Sequence, residues 1–210
     1  MARLGEAAVT LRISGGRRLL SPAGMVARPT AARVRLAVMN LLADRVQGSR
    51  WLDLCCGSGA MACEALQRGA AAVVAIERDP RVAALARRNL EAVAAGIARP
   101  AAPAKPDLAV HGGDALRWLV GGPRARQLER FDLIYLDPPW QADLHGRLTE
   151  AVGRGGWLAP GGVMIWECPS TAMPGLPAGW RSSPPRRYGG TAVLLLEQED
   201  ERSLVAEPPA

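Results

Sequence analysis

The most specific chemical signal in the chain is the tetrapeptide Asp137-Pro138-Pro139-Trp140, which directly follows the apolar run at residues 131–136. The exocyclic amine of a nucleic-acid base is a poor nucleophile, and acceptors that bind both of its N–H groups localise its lone pair. Asp137 supplies a carboxylate, and the Pro-Pro turn can aim a backbone carbonyl because proline fixes φ and adds no competing donor. Trp140 can stack on an extruded base. The tetrapeptide therefore predicts a site for a base amine; the alternative is a strand-terminating turn with a buried Trp.

A glycine-rich turn forms the second candidate site. Gly57 and Gly59 follow an apolar run and open a helix, so backbone N–H groups there can approach a ligand closely. With Ala62, the turn also fits the G-x-G-x-x-A dinucleotide pattern, and Glu77 lies eighteen residues beyond Gly59, where it can hold a ribose. The turn alone does not distinguish a nicotinamide site from an S-adenosylmethionine site.

Further carboxylates favour a cationic ligand over a phosphate. Asp53 precedes Gly57 by four residues, and Asp114 follows a third short strand. Together with Glu77, these side chains suit a sulfonium and an ammonium group and repel a pyrophosphate. Asp114 can instead cap the helix that follows it, since Asp is a preferred N-cap residue.

These residues must be positioned by a fold, and alternating apolar segments indicate which one. Strands are predicted at residues 50–55, 71–76, 108–111, 131–136, 162–168 and 191–198, with a short strand or hairpin at 8–20. Helices are predicted at residues 31–45, from 60 to about 68, and at 80–95, 115–120 and 143–153. Strands that alternate with helices imply a parallel α/β sheet, which binds ligands at the carboxyl ends of its strands.

Positive charge is concentrated at the start of the chain. Residues 1–50 carry nine Arg and two acids, a balance of +7, whereas the remainder sums to −1. A basic segment on a near-neutral body suggests a polyanion-binding face. Genomic bias explains the choice of Arg over Lys, but it does not explain the shortage of acids. We predict RNA-binding roles for Arg12, Arg17, Arg18, Arg28, Arg33 and Arg35.

Other sequence features bound the class of protein. No run approaches eighteen apolar residues, and the first ten residues do not resemble a secretory signal, so we expect a cytoplasmic enzyme with reduced thiols. The four cysteines lack C-x-x-C or Cys/His spacing, so we expect no metal. We also expect a monomer.

The chain resembles the RsmD family of small-subunit rRNA guanine-N2 methyltransferases from about Leu11 to Glu197. The resemblance rests on RISGGRRLLSP (residues 12–22), RPT (28–30), RVR (33–35), LDLCCGSGA (52–60), EALQRGA (64–70), FDLIYLDPP (131–139) and YGGT (188–191). The family usually ends its tetrapeptide in Tyr or Phe, so Trp140 is a departure, and the Pro/Ala-rich loop at residues 97–106 looks longer than usual.

The resemblance implies a Rossmann-like class I methyltransferase fold, with a seven-stranded, mostly parallel sheet whose last strand is antiparallel. It implies S-adenosylmethionine as the cofactor and a guanine of 16S rRNA, within a small-subunit particle, as the substrate. The implied cofactor-binding residues are Asp53, Cys55, Gly57, Gly59, Glu77, Arg78, Asp114 and Ala115. The implied catalytic residues are Asp137, Pro138, Pro139 and Trp140. On this basis the domains are a basic RNA-binding extension (1–45), a methyltransferase domain (46–198) and a disordered tail (199–210).

Three other functions stay open from the sequence. Adenine-N6 methylation of DNA or RNA would use the same hydrogen-bond acceptors of the tetrapeptide, but the N-terminal resemblance argues against this function. A non-catalytic RNA-binding assembly factor needs neither the tetrapeptide nor the glycine turn. A nicotinamide oxidoreductase leaves the tetrapeptide and the basic segment unexplained.

Overall fold

The computed structural model describes residues 11–22, 29–97, 106–142 and 144–199. Three predictions lie wholly or mostly outside these ranges: the RNA-binding role of Arg28, the Pro/Ala-rich loop at residues 97–106 and the disordered tail from residue 199.

The described elements follow the order that the sequence predicts. The strands are β1 (Leu11–Arg12), β2 (Arg18–Leu19), β3 (Arg50–Leu54), β4 (Ala72–Glu77), β5 (Asp107–Gly112), β6 (Phe131–Leu136), β7 (Leu158–Pro169), β8 (Trp180–Ser182), β9 (Arg186–Tyr188) and β10 (Thr191–Gln198). The helices are α1 (Pro29–Leu41), α2 (Ala43–Val46), α3 (Ala60–Gln67), α4 (Pro80–Ala95), α5 (Ala115–Leu119) and α6 (His145–Gly155). The pattern of apolar residues did not predict β8 or β9, because three-residue strands are too short to show a period of two.

One large sheet organises the described part of the chain. Its strand order is β5-β4-β3-β6-β7-β10-β8, and β9 also pairs with β10. Strands β3 to β7 are parallel to one another, whereas β10 runs antiparallel to β7, β8 and β9. The class I methyltransferase architecture is confirmed, with a short eighth strand added to the predicted seven. β1 and β2 form the predicted N-terminal pair.

Alternate residues of each strand pack against opposite helical layers. Trp51, Leu133 and Val163 share one apolar core with residues of α1, α3 and α4. Leu52 and Ile134 share the other core with residues of α5 and α6. Because side chains alternate along a strand, this division assigns every residue at the strand ends to one face or the other.

The N-terminal residues pack on the same body. Ile13 and Leu19 of the β1–β2 segment, and Val34 and Val38 of α1, belong to the core that also contains Trp51 of β3. The basic extension therefore has no separate hydrophobic core among the described residues. No helix in the described ranges has the length and apolar character needed to cross a membrane.

Candidate active site

Four carboxylates follow one another across the carboxyl edge of the sheet. Glu77, Asp53, Asp137 and Glu167 belong to, or directly follow, the adjacent strands β4, β3, β6 and β7. Side chains alternate between the two faces of a strand, so residues two apart share a face. Each of these acids lies two residues after a strand residue that packs in the core with α1, α3 and α4, so all four lie on that face. Asp53 is paired with Tyr135 in register and therefore lies one side-chain layer deeper than Asp137. The sheet thus gathers four acidic side chains on one face of its active edge.

Glu77 fixes the glycine turn to the end of β4. One carboxylate oxygen accepts a hydrogen bond of 2.8 Å from the Gly57 amide, and the other accepts one of 2.9 Å from the Asp79 amide. Gly57 has a φ of +54°, and a Cβ atom there would meet no atom within 4 Å. The turn therefore presents an open backbone surface beside a carboxylate, as a closely bound ligand requires.

Gly59 has a packing role, and its predicted contact with a cofactor stays a prediction. Its φ is +76°, and an added Cβ atom would lie 3.2 Å from the Cβ of Ala86 on α4. The left-handed backbone and this close approach both favour glycine. Gly59 therefore sets how near the start of α3 lies to α4, while Gly57 leaves the space above the turn open.

Cys55 lies at the end of β3 in a left-handed conformation, with a φ of +65°. Such a backbone is uncommon for a residue with a side chain and often marks a functional turn. Burial, followed by the negative charge of Asp53 and then of Glu77, raises the pKa of the thiol to about 12. Cys55 is therefore a neutral thiol near these carboxylates, packed against the core formed with α5 and α6. Its predicted role in cofactor binding stays a prediction.

Asp53 has one carboxylate oxygen in use and one without a partner. It is 1% exposed, and its Oδ2 accepts a hydrogen bond of 3.1 Å from the Ala62 amide in α3. Its Oδ1 is buried and has no hydrogen-bond partner among the described residues. Burial, and next the negative charge of Asp137, raise the pKa of Asp53 well above its usual value. An unpaired buried carboxylate oxygen is unfavourable, and a cationic donor nearby would satisfy it.

At the end of β5, Asp114 serves as a helix cap. Its Oδ1 accepts a hydrogen bond of 3.0 Å from the Arg117 amide, so the capping interpretation of this residue is confirmed. Ala115 begins α5 and is 9% exposed. Arg78 follows Glu77 and is exposed. The structure brings all three to the active edge, and their contacts with a cofactor stay predictions.

The tetrapeptide leaves the sheet beside β7. Burial, and next the charge of Glu167, raise the pKa of Asp137 to about 8, while a hydrogen bond from the Trp140 side chain lowers it. Pro138 is buried, and Pro139 is exposed. Trp140 is 40% exposed, so the turn does not serve to bury an indole ring. The arrangement joins a carboxylate acceptor to an accessible aromatic surface, as expected for a base-binding site.

Two residues that the sequence analysis missed complete this corner of the site. The hydroxyl group of Tyr135 donates a short hydrogen bond to the carboxylate of Glu167. Burial is the main cause that raises the pKa of both groups, and the tyrosine hydrogen bond opposes this effect at Glu167. A polar residue at the end of the apolar strand 162–168 was the signal for Glu167, but its partner on β6 depends on strand pairing.

Arg35 is a correction to the predicted RNA-binding set. It is 6% exposed, its Nε lies 3.5 Å from Glu64 Oε1, and one terminal nitrogen donates to the Arg12 carbonyl at 2.8 Å. The same Glu64 oxygen accepts a 3.0 Å hydrogen bond from the Ser14 amide. Arg35 therefore holds the β1–β2 segment against α3 and cannot face an RNA backbone.

The other described arginines of that set differ in accessibility. Arg17 donates a 2.5 Å hydrogen bond to the Gly96 carbonyl, and Arg12 donates a 3.4 Å hydrogen bond to the Gly16 carbonyl. Arg12, Arg18 and Arg33 are exposed, and Arg17 is half-buried. The sequence analysis did not select Arg186 and Arg187, which are also exposed and lie on β9, a strand packed against α1.

In the described ranges, no group of three or more His, Cys, Asp or Glu side chains is arranged so that it could hold a metal ion.

Comparison with known proteins places this geometry in a family. A family model described as conserved hypothetical protein 95 matches residues 11–197. The chain is 30% identical over 194 residues to the ribosomal RNA small subunit methyltransferase D of Escherichia coli strain K12, covering 90% of each chain. A solved structure from Escherichia coli, "Putative methyltransferase yhhF", has a TM-score of 0.75 and 29% identity, covering 91% of this chain and 99% of that chain. An RNA methyltransferase from Salinibacter ruber, solved in complex with S-adenosyl-L-homocysteine, shares the fold at 18% identity and a TM-score of 0.58, covering 88% and 97%.

Proposed function

The chain belongs to the RsmD family, the family of conserved hypothetical protein 95, and from this premise we propose that it is an S-adenosylmethionine-dependent rRNA methyltransferase. The proposed acceptor is the exocyclic N2 amine of a guanine in small-subunit (16S) rRNA. One observation carries the proposal: Asp137, with the accessible ring of Trp140 beside it, shares one face of the sheet edge with the Gly57 turn and Glu77.

The residues on the cofactor side fit S-adenosylmethionine. The unpaired Oδ1 of Asp53 and the charge of Glu77 suit a ligand that carries ammonium and sulfonium groups. The open space beside Gly57 allows close approach, and Glu77 oxygens can accept from ribose hydroxyl groups in addition to the amides that they already hold. The same carboxylates would repel the pyrophosphate of a dinucleotide, which argues against a nicotinamide oxidoreductase.

When bound, S-adenosylmethionine supplies an electrophilic methyl group on a positively charged sulfur. The residues of the chain act on the nucleophile. Asp137 accepts a hydrogen bond from the amine and localises the nitrogen lone pair. We expect a backbone carbonyl of the Pro138-Pro139 turn to accept from the second N–H group. Methyl transfer would form an N–C bond and break the S–C bond, with the electron pair of that bond left on sulfur. The nitrogen then carries a positive charge and releases a proton, which the ionised Asp137 can accept.

Asp137 must be ionised for this role, and the reactants themselves favour that form. Burial raises the pKa of the carboxyl group to about 8 in the protein alone. A sulfonium cation and an N–H donor within a few ångströms both stabilise the carboxylate, so binding of the reactants lowers this pKa. Most of the rate enhancement then comes from holding two reactants in line and away from water.

The RNA is proposed to approach over the exposed arginines next to this edge. Of the predicted basic set, Arg12, Arg18 and Arg33 are exposed and Arg17 is half-buried. Arg186 and Arg187 on β9 extend this set beside α1. We assign residues 46–198 to the methyltransferase domain and residues 1–45 to an RNA-binding extension whose described residues pack on that domain. The substrate form is rRNA in a small-subunit particle, because a particle presents a fixed arrangement of phosphates to such a surface.

The proposal is tested with rRNA from a deletion strain. Small ribosomal subunits from that strain are incubated with the purified protein and radiolabelled S-adenosylmethionine, and the labelled nucleoside is identified by mass spectrometry. We expect N2-methylguanosine at one position of 16S rRNA. N6-methyladenosine would replace this proposal with the adenine alternative, and the absence of label with intact cofactor binding would favour a non-catalytic assembly factor.

A further inference from the structure

Glu167 is a carboxylate on the substrate side of the site that the proposed methyl transfer does not use. It lies on β7, one strand farther than Asp137 from the glycine turn and Glu77. β6 and β7 pair in register up to Leu136 and Trp166, so the next residues, Asp137 and Glu167, are neighbours across the two strands. Both side chains lie on the same face, and a base whose amine is held at Asp137 extends toward one of its two neighbouring strands.

The direction in which the base extends follows from the position of the cofactor. The Gly57 turn and Glu77 occupy the edge over β3 and β4, so the methyl donor approaches Asp137 from that side. The ring of the base must then lie on the other side of the amine, over β7. Glu167 is the charged residue of β7 at that level. It is therefore placed to meet the ring atom next to the amine.

Glu167 is held as a hydrogen-bond acceptor. The Tyr135 hydroxyl group donates to its Oε2, and an oxygen that receives a donor favours the ionised carboxylate. The charge of Arg35 favours the same form. A carboxylate has two oxygens and about four acceptor sites, so the hydrogen bond from Tyr135 leaves room for a donor from a ligand. Burial raises the pKa of Glu167, and the hydrogen bond from Tyr135 and the charge of Arg35 oppose this effect. In its ionised form, Glu167 selects a ring N–H group and disfavours a ring lone pair.

We infer that Glu167 accepts a hydrogen bond from the N1–H group of the target guanine while Asp137 holds the neighbouring N2 amine. Tyr135 is the residue that positions Glu167. This inference rests on the proposed function. Guanine presents N1–H and N2–H as adjacent donors, whereas the ring nitrogen next to the adenine amine is an acceptor. Two adjacent carboxylates therefore match guanine and oppose adenine. The pair acts as a specificity determinant in addition to its role in orienting the amine.

The experiment uses a base that keeps the 2-amine but lacks N1–H. The guanine that wild-type protein methylates is replaced by 2-aminopurine through splinted ligation of 16S rRNA, and small-subunit particles are reconstituted with either RNA. We expect wild-type kcat/KM to favour guanine by about 10- to 100-fold, as for one good base-edge contact. Glu167→Gln should reduce this ratio by at least about tenfold, because its carboxamide can donate to the N1 lone pair.

The matched control is Glu197→Gln, which changes a carboxylate on β10 that pairs with Arg181 at an exposed site. It should leave the guanine to 2-aminopurine ratio unchanged. Tyr135→Phe should lower the ratio by less than Glu167→Gln, because the carboxylate remains but loses its positioning donor. Binding of S-adenosylhomocysteine, measured by calorimetry, should be similar in all variants.

The outcomes separate this inference from the function on which it rests. Equal loss of activity on both RNAs in Glu167→Gln, or equal activity of the wild-type protein on both, would overturn the role of Glu167 and leave the methyltransferase proposal intact. Failure of the wild-type protein to methylate either RNA would instead reject the proposed function. A misfolded variant would lose activity on both RNAs. A lower guanine to 2-aminopurine ratio in a variant that retains activity on the 2-aminopurine RNA therefore cannot arise from misfolding.

Discussion

Asp137 and Glu167 lie side by side at the carboxyl ends of β6 and β7, one residue beyond the last registered pair, Leu136 and Trp166. Two half-buried carboxyl groups on neighbouring strands do not readily carry charge together. Burial contributes most to the raised pKa of Asp137, and Glu167 contributes next. The ionisation of the amine acceptor is therefore governed in part by a residue on the neighbouring strand.

The first prediction is a rise in activity with pH. Asp137 accepts from the amine only when ionised, and burial raises its pKa to about 8, so kcat/KM should increase as the pH rises through about 8. Glu167→Gln removes the neighbouring negative charge, so the rise should move to lower pH. The measurement is kcat/KM across the pH range at constant ionic strength. An identical profile in the variant would show that Glu167 does not control Asp137.

Removing the acceptor is the second prediction. Asp137→Ala should abolish methyl transfer while leaving the affinity for S-adenosylhomocysteine within about threefold, because the contact serves the transition state more than the cofactor. Asp44→Ala, an exposed acid near the opposite edge of the sheet, is the control and should retain activity. Near-full activity of Asp137→Ala in the same assay would rule out its assignment as amine acceptor.

The third prediction concerns stability. Asp137 keeps its proton in the folded chain up to about pH 8, whereas an ordinary Asp loses it near pH 4. Folding thus takes up a proton between these values, and the contribution of Asp137 to stability falls as the pH rises through them. Asp137→Asn should raise the free energy of unfolding by about 1–3 kcal/mol at about pH 8 and by less at about pH 5. Thermal melts at both pH values test this, and an equal shift at both would contradict it.

Cofactor affinity is the subject of the fourth prediction. Glu77→Ala should weaken S-adenosylhomocysteine binding by about 1–3 kcal/mol, through loss of a charged acceptor and of the hydrogen bond that holds Gly57. NAD should not bind measurably to the wild-type protein. Calorimetric titration gives both values. Tight NAD binding would reject the methyltransferase proposal, whereas unchanged affinity in the variant would reject only the role of Glu77.

The fifth prediction distinguishes the exposed arginines, which we expect to bind RNA, from Arg35, which is buried. Arg18→Ala combined with Arg33→Ala should lower RNA affinity and flatten its dependence on salt, by roughly 0.7–0.9 in the logarithmic slope for each phosphate that the protein no longer neutralises. Arg154→Ala, an exposed arginine that pairs with Glu150 on α6, is the control and should change neither quantity. Filter binding between about 50 and 200 mM salt, where such slopes are large, tests this. Unchanged binding in the double variant would indicate that these arginines only solvate the surface.

Arg35→Ala should behave differently from that pair. Removing it leaves Glu64 buried without its cation, and loss of one partner from a buried ion pair costs about 3–5 kcal/mol. We therefore expect a lower melting temperature, with any decrease in RNA binding following the decrease in folded protein. A stable variant with weakened RNA binding would restore Arg35 to the RNA-binding set.

The sequence by itself determined the class of fold and much of the site. Alternating apolar strands and helices predict a parallel sheet, and polar residues directly after those strands must meet at one edge. Glu77 and Asp137 were found in this way, because each directly follows a predicted strand whose type is set by local periodicity. Asp53 lies inside such a strand and was found from its spacing to Gly57. The glycines at 57 and 59 were found because a tight turn between strand and helix restricts the backbone locally.

Only the tertiary structure decided which of these residues are neighbours. The coupling of Asp137 to Glu167, and the hydrogen bond from Tyr135, depend on the pairing of β6 with β7, which local sequence does not encode. Arg35 shows the same limit. It occurs in a basic segment like its neighbours, but the packing of α1 against α3 places it beside Glu64 and away from water. Residue type and spacing set the local conformation and charge, whereas burial and long-range contacts set which charges face a ligand.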